Sequence, residues 1–76
     1  MNDRIVIDAE VQHGKPVIRG TRIPVTRIVG GLAGGMSPAD LVREYDITLD
    51  DVRAALAFAA QLIETETYYP LPVPGI

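Results

Sequence analysis

The 76-residue chain has no cysteine and a single histidine. Without cysteine there is no disulfide, no thiolate nucleophile and no cysteine-ligated metal, and nothing points to an oxidising compartment. His13 stands beside a glycine turn, with no second histidine and no carboxylates at ligand spacing, so neither a metal nor a cofactor is expected. Nucleophile elbows, phosphate loops and serine–histidine pairings are also missing. Asp50 and Asp51 are adjacent on a predicted helix, where neighbouring side chains diverge by about 100°, and they cannot converge as a catalytic dyad. An enzyme is therefore not expected. No run approaches the ~20 apolar residues of a membrane span, and the start Met-Asn-Asp-Arg lacks a signal-peptide pattern. The expectation is a cytoplasmic protein without membrane attachment.

What is present is apolar enough to fold. The 47% content of hydrophobic residues is not that of a disordered chain. Seventy-six residues allow one domain with a small core, which a dimer or a bound partner would help to stabilise. The net charge of −3 is unevenly spread. Residues 1–36 hold five bases against three acids, whereas residues 37–76 hold two against seven. Such asymmetry fits a nucleic-acid-facing end and a second end with another task; ordinary surface solvation with acidic helix starts is the alternative.

Three parts are expected: a β-arm over 1–23, a three-helix bundle over 24–64 and a proline-rich tail over 65–76. Arg4-Ile-Val-Ile-Asp8 and Pro16-Val-Ile-Arg19 are β-prone runs around a turn at Val11–Lys15. Pro24 opens a first helix reaching Ala33, with Val25, Ile28, Val29 and Leu32 on one face and Gly34-Gly35 as its stop. Gly30 and Gly31 inside so short a helix suggest close approach of another backbone, a poorly formed helix being the alternative. Ser37, Pro38 and Asp40 then start a second helix, whose core face is Leu41, Val42 and Tyr45. Thr48, with Asp50 and Asp51, starts a third that runs to Glu64. The staple pairs Met36–Leu41 and Ile47–Val52 repeat at both starts. Two capped helices separated by two or three residues form a helix-turn-helix candidate. The fold class expected is mainly α: a homeodomain-like three-helix bundle with a short N-terminal β-hairpin or arm.

The third helix carries an apolar stripe of Val52, Ala55, Leu56, Ala59, Leu62 and Ile63, and Ala54 to Ala60 contains no polar residue. A helix apolar nearly all round is buried on more than one side. The expectation is a homodimer, with Ala54, Ala57, Phe58 and Gln61 at its interface. The tail, with Pro70, Pro72 and Pro74, favours polyproline II geometry, yet it carries Tyr68, Tyr69, Leu71 and Val73. These four are candidates for binding a partner protein, self-packing being the alternative.

The DNA candidates are Lys15, Arg19, Arg22 and Arg27, on or beside the β-prone arm, with Arg53 the single base of the third helix. Two aspartates at the start of that helix would repel phosphates, so the arm rather than the third helix is the expected contact. The competing reading pairs these arginines with the acids of the C-terminal half.

Three stretches carry a resemblance: Gly14-Lys-Pro-Val-Ile-Arg-Gly-Thr-Arg-Ile-Pro-Val25, Gly34-Gly-Met-Ser-Pro-Ala-Asp-Leu-Val-Arg-Glu-Tyr45 and Leu49-Asp-Asp-Val-Arg-Ala-Ala-Leu-Ala-Phe-Ala-Ala60. Over roughly residues 4–64 the chain resembles the domain-of-unknown-function family 433. The resemblance implies a homeodomain-like fold and a VapB-like antitoxin of a type II toxin–antitoxin pair. Such a protein neutralises a PIN-like ribonuclease toxin, with repression of its own operon through operator DNA as a second implied role. It implies no catalytic residue and does not extend to the tail. The alternative from another class is a dimeric protein-interaction adaptor without nucleic-acid binding.

Overall fold

The structure is a computed structural model that describes residues 2–65. The partner-binding candidates Tyr68, Tyr69, Leu71 and Val73 lie outside the described residues. Strands β1 (Ile5–Ile7) and β2 (Pro16–Ile18) pair antiparallel, with Ile5 opposite Ile18 and Ile7 opposite Pro16. Helices α1 (Val25–Ala33), α2 (Pro38–Tyr45) and α3 (Leu49–Thr65) follow. The Val11–Lys15 turn contains a short 3-10 segment, Gln12–Gly14, with Gln12, His13 and Gly14 all at positive φ. Pro24 caps α1 rather than forming its first turn, and α3 runs one residue past Glu64.

The helix starts follow the side chains that begin them. Asp40 N–H donates to Ser37 Oγ at 3.0 Å and Ser37 N–H to Asp40 Oδ2 at 2.9 Å. The same reciprocal pair recurs at α3, with Asp51 N–H to Thr48 Oγ1 at 3.1 Å and Thr48 N–H to Asp51 Oδ2 at 2.9 Å. Each pair satisfies two N–H groups that a helix start leaves without partners. The helix ends match as well. Met36 N–H reaches back to Gly31 O and Ile47 N–H to Val42 O, closures that need a left-handed residue just before the donor. Gly35 (φ 104°) fills that position after α1, and Asp46 (φ 54°) fills it after α2.

One core holds the parts together. Ile18, Val25, Ile28, Leu41, Ile47, Val52 and Ala55 are buried against one another, so β2 and all three helices contribute. The N-terminal hairpin is thus a wall of the core and not a free-standing arm. Ile18 N–H also donates to Ile23 O, and Val17 bridges to Pro24, which ties β2 to the start of α1. Gly31 has a packing reason: a Cβ there would lie 2.9 Å from Leu41 Cδ2 and 3.2 Å from Met36 Sδ.

The apolar stripe expected on α3 is only half used. Val52 and Ala55 are buried, but Leu56, Leu62 and Ile63 are exposed. Leu56 borders a groove beside α2 and Leu62 a cleft beside α1, and neither groove is closed over among the described residues. At 1.5 Å per residue α3 extends roughly 25 Å, against roughly 13 Å for α1 and 12 Å for α2, so the shorter helices leave part of its surface open.

Candidate nucleic-acid and partner interface

Four of the five candidate DNA contacts share a physical state. Lys15, Arg19, Arg22 and Arg27 are exposed. No carboxylate among the described residues lies within ion-pair distance of any of them. Arg19 and Arg22 stand on the shoulders of one tight turn. Thr21 N–H donates to Ile18 O at 3.0 Å, Gly20 takes φ 78°, and Ile23 N–H donates to Thr21 Oγ1 at 3.0 Å. Arg19 Nε donates to the backbone oxygen of Asp3, and Gln12 Nε2 donates to Arg22 O at 2.9 Å, so both shoulders are braced. Arg27 lies in the first turn of α1, whereas Lys15 precedes the opposite end of β2.

Arg53 differs. Its Nη1 lies 3.4 Å from Asp50 Oδ1, one turn away on α3. Arg4 approaches the same helix start from the hairpin, with Nη1 3.1 Å from Asp51 Oδ1 and Nη2 3.8 Å from Asp50 Oδ2. Asn2 Nδ2 adds a bond to Ala54 O at 2.7 Å. The N-terminal segment thereby straps the first turns of α3. In a helix-turn-helix that reads DNA, the N-terminal residues of the second helix contact base edges. Here those residues are acidic and engaged. Pairing of arginines with C-terminal acids is therefore real, but it uses Arg4, Arg43 and Arg53 and leaves Lys15, Arg19, Arg22 and Arg27 without an acid partner among the described residues.

Two carboxylates are shifted by this scaffold. Burial pushes Asp51 up, since its side chain is only 13% exposed, but the Thr48 N–H and Arg4 outweigh it and hold it below the ordinary 3.8. Asp40 is lowered chiefly by the Ser37 N–H, then by the Ser37 hydroxyl and Arg43.

The four residues expected at a dimer face, Ala54, Ala57, Phe58 and Gln61, do not share one environment. Ala54 needs a correction: at 9% exposure it is already part of this chain's core, beneath the strap formed by Asn2 and β1. Phe58 is half-buried against the core cluster. Ala57 and Gln61 remain exposed and line a shallow polar groove with Arg4, Asp50 and Arg53. The large exposed apolar side chains of α3 are elsewhere: Leu49 and Leu56 at 43%, Leu62 at 51% and Ile63. Leu49 and Leu56 border a groove with Pro38, Ala39 and Val42 of α2. The stripe read from the sequence omitted Leu49; the seven-residue spacing of Leu49, Leu56 and Ile63 is the signal that would have found this row. Arg4 and Asn2 left no comparable signal, because contacts across about 50 residues have no local pattern. Among the described residues no group of ligands could hold a metal, and no helix is long and apolar enough to cross a membrane.

Similarity to known proteins is consistent along the core. The family described as "Protein of unknown function (DUF433)" matches residues 5–59. The crystal structure of a DUF433 member protein from Anabaena variabilis is similar with a TM-score of 0.77 and 33% identity, covering 82% of this chain and 62% of that one. Rv2018 from Mycobacterium tuberculosis is similar with a TM-score of 0.62 and 31% identity, covering 68% of this chain and 24% of that one. An uncharacterized protein of Archaeoglobus fulgidus is 65% identical over 23 residues, which are 30% of this chain and 64% of that protein. The matches thus span less than two thirds of the length of each of these relatives.

Proposed function

The chain belongs to the DUF433 family, and from that premise we propose that it is an antitoxin of a type II toxin–antitoxin pair, acting in the cytoplasm. In this reading it neutralises a PIN-like ribonuclease and binds the operator DNA of its own operon as a homodimer. The observation that carries the DNA half is the contrast between two sets of bases. Lys15, Arg19, Arg22 and Arg27 have no acid partner among the described residues, while Arg4 and Arg53 are spent on the first turn of α3. A cation without an acid partner is available to displace counterions from a phosphate backbone. The hairpin turn and α1 are therefore the DNA-facing side, and α3 is not the reading helix. The toxin is assigned to the acidic C-terminal half with Tyr68, Tyr69, Leu71 and Val73. Carboxylates there imitate the RNA backbone that a nuclease surface receives, and the apolar side chains anchor the contact. The second copy is assigned to the exposed row of Leu49 and Leu56, since Ala54 is already covered.

The test is a salt titration of binding to DNA from immediately upstream of the coding sequence. Four bases per chain predict a log–log slope of roughly −7 for a dimer, and Arg19→Ala with Arg22→Ala should reduce its magnitude by roughly half. Absence of binding at low salt, or a slope indifferent to those substitutions, rejects the DNA assignment and leaves the dimeric adaptor. Co-purification with the product of the neighbouring reading frame tests the toxin assignment separately.

A further inference from the structure

Gly30 and Gly31 are neighbours on α1, but only Gly31 has a reason to be glycine within the described fold. A Cβ at Gly31 would collide with Leu41, whereas a Cβ at Gly30 would meet nothing within 4 Å. Neither glycine takes a positive φ, so backbone conformation demands no glycine at either position. An interior helical glycine costs up to about 1 kcal/mol relative to alanine. The missing side chain at Gly30 leaves a flat place on the wall of a cleft of about 360 Å³. The other walls are formed by Val25, Val29, Phe58, Ala59 and Leu62, and Thr26 at the rim contributes the only polar side-chain group. A second, shallower groove shares Phe58 and Leu62 with this cleft and ends at Thr65. The cleft is therefore continuous with the point where residues 66–76 leave α3.

We propose that this cleft is the docking site of the chain's own C-terminal segment, residues 68–76, folded back along α3 against Gly30. Eleven residues follow Thr65, and five of them are large and apolar: Tyr68, Tyr69, Leu71, Val73 and Ile76. Extended at about 3.1 Å per residue they reach roughly 34 Å, three times the roughly 10 Å that separates Thr65 from the level of Phe58 on α3. Pro70, Pro72 and Pro74 have little conformational freedom to lose on docking and bring no N–H donors into an apolar cleft. Tethering favours this occupant over a free partner, because a short linker gives the segment an effective concentration of roughly millimolar. The inference rests on the cleft and the sequence alone; a toxin that engages Tyr68, Tyr69, Leu71 and Val73 would compete with this docking, so the free chain is the state to test.

The absence of native cysteine makes the test direct. The full chain carrying Thr26→Cys with Val73→Cys should form a disulfide within one chain about tenfold faster than the chain carrying Ala39→Cys with Val73→Cys, whose first cysteine lies on the far groove. Equal rates, or a disulfide between two chains, overturn the proposal. Gly30→Trp supplies a second measurement without cysteines. It should fill the cleft and raise the rate of chymotrypsin cleavage after Tyr68 about tenfold by exposing the docked segment. Cleavage after Tyr45, within α2, should stay unchanged and so report that the bundle remains folded. Unchanged cleavage after Tyr68 in that variant also overturns it. Both measurements use the purified chain without toxin or DNA, so a failure of docking leaves the antitoxin reading to its own test.

Discussion

Asp51 joins the start of α3 to the N-terminal segment. Its carboxylate accepts from Thr48 N–H and from Arg4, and its own N–H returns a bond to Thr48. Burial opposes the charge, but these donors outweigh it, and the carboxyl is held below 3.8. Asp40 is lowered at the start of α2, first by the Ser37 N–H. A depressed carboxylate means that the unfolded chain takes up protons before the folded one as pH falls. The stabilisation is therefore complete above about pH 5 and is lost as pH drops through 3.8 and then through the lower folded values. Thermal melts should show a flat melting temperature from neutral pH to about 5 and a decline beneath about 4. Asp51→Asn should lower the neutral plateau and make the acid decline shallower. An unchanged decline in that variant would show that Asp51 contributes nothing to acid stability.

Each helix junction rests on one backbone conformation. The α1–α2 junction places Gly35 in the left-handed region at no steric cost. The α2–α3 junction places Asp46 there, where a Cβ crowds the following carbonyl. Asp46→Val should destabilise the protein by about 1–2 kcal/mol in urea titrations, because a β-branched side chain tolerates that region worst. Asp46→Gly should be neutral or stabilising by up to about 1 kcal/mol. If valine were accepted without loss, the turn would not depend on this conformation. Glycine at 34–35 announced the first junction in the sequence. The second was legible only from the start signal at Thr48, since aspartate is compatible with many conformations. The same contrast separates Gly31 from Gly30, which are identical as letters and opposite in surroundings.

For the molecule as a whole, the hairpin and the helices share one core. Ile18 of β2 is 1% exposed and packs in the same cluster as Ile28, Leu41 and Val52. Ile18→Ala should cost roughly 3 kcal/mol, a large part of the 5–15 kcal/mol expected for a small domain. The loss should appear in the helical circular-dichroism transition, which should remain a single step. A helical melt insensitive to Ile18→Ala would mean that the hairpin is an independent arm after all. The four bases without an acid partner among the described residues belong to this scale too. Arg19 and Arg22 flank a turn that exists only because β2 pairs on to the Ile23–Pro24 segment, and Arg27 follows on the helix that this segment starts.

Local chemistry written in the sequence was enough for the β-prone runs, the three helix starts, the glycine stop after α1 and the inner faces of α1 and α2. Each of these depends on residues no more than a few positions apart, so hydrogen bonding and hydrophobic period report them directly. The sequence also marked the first half of the chain as the more basic, because unlike charges are segregated along it. Tertiary structure alone decided which charges remained unpaired, since Arg4 meets Asp51 across 47 positions while Arg19 and Arg22 meet no acid among the described residues. It likewise decided that Ala54 is covered by its own chain while Leu49 and Leu56 are exposed. An apolar helix has no preferred side until the lengths and positions of its neighbours determine which of its faces are covered.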